Sequence, residues 1–92
     1  MADRDVYSMT DEELVKGTVL VSRHPLFERL ELTAWERRFL HELSDYWRRM
    51  GFIGWKQRRS ARQLITKVRE ELERRDQVWD WAEEARSLEE VR

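Results

Sequence analysis

Cysteine is absent from the 92 residues, which excludes a disulfide framework, a thiolate nucleophile and a Cys-ligated zinc. No run approaches the roughly 20 apolar residues that a membrane-spanning helix requires. The first residues, Met1-Ala2-Asp3-Arg4-Asp5, lack the apolar stretch of a secretory signal, so a cytoplasmic location is expected. Proline occurs once, at Pro25, and glycine three times, at Gly17, Gly51 and Gly54. That is too little for a flexible linker, and these residues punctuate periodic segments instead. Neither sign of charge dominates: 18 basic residues face 19 acidic ones, for a net charge of −1. Such a balance argues against a chain that coats nucleic acid indiscriminately.

What the chain does have is large apolar side chains and unevenly placed charge. Five Trp, three Phe and two Tyr supply enough buried area for one core without staples. The length fits a single domain spanning 1–92, with 1–9 as a flexible N-terminal tail. From Arg48 to Arg69 there are eight basic residues and no acidic one, whereas Glu70 to Arg92 holds nine acidic and four basic. That asymmetry is the strongest compositional signal.

The periodicity predicts an all-α fold, a compact domain of three to four helices with a central antiparallel pair. Thr10 and Glu13 have capping-box spacing, so a short helix begins after Thr10 and is expected to stop near Gly17. Thr18-Val19-Leu20-Val21 is rich in β-branched residues and is read as an extended connector. A further turn is expected around Leu26, Phe27 and Leu30. Thr33 and Glu36 form a second capping box, and Gly51 supplies a stop. Between them Trp35, Phe39, Leu40, Leu43, Tyr46, Trp47 and Met50 fall in an arc of roughly 140° that reads as a buried face. A third helix between about Trp55 and Arg75 carries the core stripe Ala61, Leu64, Ile65, Val68 and Leu72. Its start is left open between Gly54 and a Ser60 cap. A break near Asp76 is expected to separate a C-terminal helix with Trp79 and Trp81 among its apolar residues. Two residues apart on a helix, these two tryptophans would point to different faces, so one is expected to serve as a partner-binding anchor.

Catalytic equipment is thin. His24 and His41 are the only side chains with an ordinary pKa near neutrality, and no serine is singled out as their partner. No HxxxH, HExxH or Asp-rich glycine loop is present, and the clusters Asp11-Glu12-Glu13 and Glu70-Glu71-Glu73 fit helix-start and solvated-face roles. No enzyme activity, metal or cofactor is expected. The basic segment carries more. Arg48, Arg49, Trp55, Lys56, Arg58, Arg59, Arg62 and Arg69 interleave guanidinium groups with an aromatic ring, the combination that meets phosphates and stacks on unpaired bases. If the third helix is continuous from Trp55, that ring falls outside the core arc beside an arginine ridge. The alternative is that the arginines pair with the acidic C-terminal stretch, which cancels the basic patch.

Leu32-Thr33-Ala34-Trp35-Glu36, followed by Phe39-Leu40, Lys56-Gln57 and Leu64, resembles a pattern in small uncharacterised phage and mobile-element proteins. It covers about half of the chain. The resemblance implies an accessory role near replication, recombination or host-defence systems and assigns no active site. The expected function is a non-enzymatic binding module that contacts nucleic acid or a nucleoprotein complex through 48–69. The rival is a protein-interaction factor acting through aromatic and acidic surfaces, with homodimerisation as one form of it.

Overall fold

In a computed structural model, residues 6–77 and 79–88 are described. They form four α-helices: α1 (Asp11–Arg23), α2 (Ala34–Met50), α3 (Trp55–Arg74) and α4 (Trp81–Ser87). Short 3-10 turns at Val6–Ser8 and Phe27–Arg29 flank α1, and among the described residues there is no strand. The expected all-α fold is present.

Both capping boxes form. The Glu13 amide donates to Thr10 Oγ1 at 3.2 Å, and the Thr10 amide donates back to Glu13 Oε1 at 3.0 Å. The same exchange at Thr33 and Glu36 measures 3.1 and 2.8 Å. α2 stops where Gly51 takes a left-handed φ of 75°, a conformation only glycine adopts without cost. α3 starts after Gly54, whose amide donates to the Gln57 side chain at 2.7 Å, so Ser60 lies inside the helix rather than capping it. Its far end closes with Asp76 at φ 58°, the Asp76 amide on the Glu73 carbonyl and the Gln77 amide on the Leu72 carbonyl. This is a Schellman closure with aspartate in the position glycine prefers, and it makes the break expected there.

α1 departs from expectation. It runs through Gly17, and Thr18-Val19-Leu20-Val21 is helical. The reason is position. The close backbone approaches between helices all involve α1, which packs on α2, α3 and α4 in turn. Leu14, Val15, Thr18 and Val21 are fully buried. Burying a Val side chain stabilises by ~1.5–3 kcal/mol, whereas a β-branched residue costs a helix only tenths of that. Packing wins. The buried Thr18 hydroxyl donates to the Val15 carbonyl at 2.7 Å. Gly17 is a point of close approach: a Cβ built there would lie 2.9 Å from Ile65 Cδ1 and 3.0 Å from Trp81 Cε3.

α2 and α3 run antiparallel, as expected, with Glu36 at the start of α2 bonded to Lys67 late in α3 at 2.8 Å. The hub is nevertheless α1, around which the whole α3 stripe from Ala61 to Leu72 is buried. Val6 and Met9 are buried in the same core, so the expected flexible tail does not extend to them; residues 1–5 lie outside the described set. Glu71, expected on a solvated face, is buried. Both its oxygens accept from the Glu31 amide, at 3.0 and 3.2 Å. Arg75 bridges Glu71 to the Arg29 carbonyl. Together these bonds tie the α1–α2 connector to the end of α3.

Candidate functional site

The apolar arc of α2 is wider than its neighbours cover, which corrects the expectation of a wholly buried face. Leu40 and Leu43 are buried, whereas Phe39, Tyr46 and Trp47 are half-buried and Trp35 and Met50 are 55% and 48% exposed. Trp35 stacks on Phe39, with ring centroids 5.2 Å apart and planes 13° from parallel. In the turn, Ile53 goes inward and Phe52 outward, 51% exposed, its ring edge-on to Tyr46 at 6.2 Å. Trp55, the first residue of α3, is 65% exposed, and Lys56 Nζ sits 5.6 Å from its ring centroid.

Between α2 and α3 these side chains leave an open groove of about 400 Å³. Trp35, Phe39, Leu43 and Tyr46 line its apolar side, and Glu42, Arg49, Lys56, Gln57 and Ser60 complete it. A second hollow of about 310 Å³ adjoins it at Trp55, Lys56, Arg59, Ser60 and Gln63. The charged residues lining the two are Arg49, Lys56 and Arg59 against the single carboxylate of Glu42, three minus one, a local charge of +2. The chain as a whole carries −1.

The eight residues singled out by sequence therefore separate. Arg58 is committed internally. Its Nε and one terminal nitrogen donate to Asp11 at 2.7 and 3.0 Å, and it also donates to the Ile53 carbonyl at 3.4 Å. An arginine held in this way has fewer donors left for a phosphate. The Arg58 hydrogen bond, with the charges of Arg58 and Arg62, holds the Asp11 carboxyl below its ordinary pKa. Arg62 is half-buried. Arg69 lies along α3, 4.0 Å from Glu73 and largely covered, and Arg48 pairs with Asp45 on its own helix. Arg49, Trp55, Lys56 and Arg59 face the groove or its adjoining hollow, and among the described residues Arg49 and Arg59 have no ion-pair partner. Lys67 is engaged by Glu36. Burial pushes the Glu36 carboxyl up, but hydrogen bonds from Lys67 and the Thr33 amide outweigh it and leave the pKa below its ordinary value.

The acidic C-terminal stretch does not cover this face. α4 packs on α1, and no groove-lining residue belongs to it; residues 89–92 lie outside the described set. Trp79 and Trp81, expected to supply an exposed anchor, are 8% and 2% exposed. Trp79 precedes the first turn of α4, so helical spacing does not force the two rings apart. Its Nε1 donates to Glu84 at 3.2 Å, and the His24 ring meets it edge-on at 6.0 Å. Neither can act as a surface anchor in this fold. Trp35, Phe39 and Tyr46 are the groove residues that sequence reasoning assigned to the core. The signal was the arc itself: seven apolar residues on a 17-residue helix exceed what one flanking helix covers.

The remaining candidate groups do not converge. His24 Nδ1 accepts from the Leu26 amide at 3.0 Å, and His41 is exposed on α2. The Ser22 and Ser44 hydroxyls donate to the carbonyls of Val19 and His41. Among the described residues no three His, Asp or Glu side chains are grouped to hold a metal ion, and no helix is long and apolar enough to cross a membrane. No family model, curated protein or solved structure matches this chain.

Proposed function

We propose that the chain is a non-enzymatic protein-interaction module of the cytoplasm, an adaptor or inhibitor that receives its partner in the α2–α3 groove. One observation carries this reading. The exposed Trp35, with Phe39 and Tyr46, lines the groove and the exposed Trp55 lines the hollow beside it, on a domain that otherwise buries its core. Large apolar groups lining a concave surface in this way mark interaction sites. Trp and Tyr on rigid helices are suited to anchoring a partner at little entropic cost.

A displayed random-peptide library tests the reading. Selection on the native protein is followed by counter-selection on Ser60→Trp, whose indole fills the groove. Peptides enriched on the first and lost on the second are the expected result. No enrichment, or equal retention on both proteins, overturns it.

Nucleic acid is the second reading, favoured by the exposed Trp55 ring beside Lys56 and Arg59. Stacking on such a ring is worth ~1–3 kcal/mol per base. It ranks lower because Arg58 is bonded to Asp11, Arg48 is paired with Asp45 and Arg69 is largely covered, so the phosphate contacts available are few. Oligonucleotide titration followed by Trp fluorescence decides it: saturable binding that weakens steeply with salt and is lost in Trp55→Ala establishes the second reading against the first.

A further inference from the structure

We infer that the groove receives an amphipathic helix whose apolar face is flanked by acidic residues at the end lying over the α2–α3 turn. The inference rests on the protein-binding reading above and names the partner's chemistry.

Both walls of the groove are α-helices, whose backbone donors and acceptors bond within their own helix. No edge is offered for an extended segment to pair with. A guest must arrive with its own backbone satisfied and contribute side chains alone, which is the helix-in-groove mode. The length agrees. Trp35, Phe39, Leu43, Tyr46 and Arg49 line the groove along α2, and the 14 steps from first to last rise about 21 Å at ~1.5 Å per residue. That accommodates about four turns of a guest helix, enough for anchors at i, i+3 or i+4, and i+7 with a further charged turn at one end.

Charge sets the guest's character and direction. The cations Arg49, Lys56 and Arg59 sit where α2 ends and α3 begins, while the Trp35–Phe39 end carries no cation among the lining residues. An acidic flank over the turn meets three positive groups, two of which have no partner within the described chain. A second copy of the chain fits less well. A two-fold contact through the groove brings two surfaces of net positive charge together, and a second copy supplies no excess of acidic groups from its own groove to answer Arg49, Lys56 and Arg59.

The probe is an Ala-based peptide of about 16 residues with Leu at i, i+3, i+4 and i+7 and three Glu toward one end, fluorescein-labelled. Its control carries Lys in place of the Glu residues. Anisotropy titrations are expected to show the acidic peptide binding at least about tenfold tighter than the Lys peptide. Circular dichroism should show helicity rising on binding. Arg49→Glu with Lys56→Glu, two exposed changes that leave the melting curve in place, should reverse the preference. Equal affinity for the two peptides, or library peptides that need the open groove but bind extended and without acidic bias, overturns this inference and leaves the protein-binding reading standing. A concentration-dependent dimer in sedimentation that Ser60→Trp abolishes also overturns it and makes the occupant a second copy. Absence of any groove-dependent peptide removes both.

Discussion

Gly17→Ala sets two effects of opposite sign against each other in the middle of α1. Alanine is favoured over glycine in a helix interior by ~0.8–1.0 kcal/mol, so propensity alone predicts a more stable protein. The added Cβ, however, lies 2.9 Å from Ile65 Cδ1 and 3.0 and 3.1 Å from two carbons of the Trp81 ring. Ile65 is fully buried and Trp81 nearly so, so neither yields without disturbing other core atoms. Overpacking of this kind costs ~1–3 kcal/mol. The net expectation is destabilisation of about 1 kcal/mol, a fall in Tm of about 4–8 °C for a domain of this size. Urea denaturation with unchanged m isolates the effect. Ile65→Val, which removes the nearest atom and alone costs ~0.5–1.5 kcal/mol, closes a double-mutant cycle. The pair should cost less than the sum of the singles by ~0.5 kcal/mol or more. A higher midpoint for Gly17→Ala, or strict additivity in the cycle, refutes the steric account.

Trp81→Ala is expected to cost ~3–5 kcal/mol, whereas Trp35→Ala and Trp55→Ala should change stability by no more than ~0.5 kcal/mol; thermal melts of the three separate core from surface tryptophans. Glu71→Ala leaves the Glu31 amide without its acceptor and Arg75 with the Arg29 carbonyl alone, and should cost ~1–3 kcal/mol, with Glu71→Gln costing less in the same denaturation series. Asp76→Gly relieves a left-handed conformation that costs an L-residue ~1–2 kcal/mol, so a rise in midpoint is expected, and a fall would mean that the aspartate side chain stabilises the closure. Asp11 and Glu36 have folded pKa values below their unfolded ones of ~3.9 and ~4.3, so the folded state binds fewer protons. The stability they contribute is complete above about pH 5 and is lost as pH falls through the folded values. Asp11→Asn and Glu36→Gln should flatten the decline of the urea midpoint between pH 6 and 3, and slopes equal to the parent's would refute this.

Much of the architecture is legible in single residues. Thr10 with Glu13, Thr33 with Glu36, Gly51, the Ala61–Leu72 stripe and the break at Asp76 each follow from local chemistry, because the groups that satisfy a helix end lie within a few residues of it. α1 is not legible in this way. The run from Gly17 to Val21 looks like a stop followed by a strand, and it becomes helix through contact with residues more than forty positions later. Glu71 escapes for the same reason, since its partner Glu31 is remote and its neighbours Glu70 and Glu73 are ordinary surface acids. At the groove, Trp55 emerges on the outer side as a helix starting at Gly54 requires. Counting charge between Arg48 and Arg69 finds the right face but not which cations are free. Arg58 is withdrawn by Asp11 at the other end of the sequence, and no local pattern encodes that pair.

The hub position of α1 has a consequence for how the molecule assembles. α1 and α2 are neighbours in sequence, joined by the connector 24–33, and their contacts are local ones. Seating Gly17 of α1 against Trp81 closes a loop of some sixty residues, longer than the one closed by its packing on α2, and so carries the larger closure entropy. Loss of α4 docking uncovers the bare backbone at Gly17 on the Trp81 side, and the apolar surface so exposed is the kind that favours aggregation.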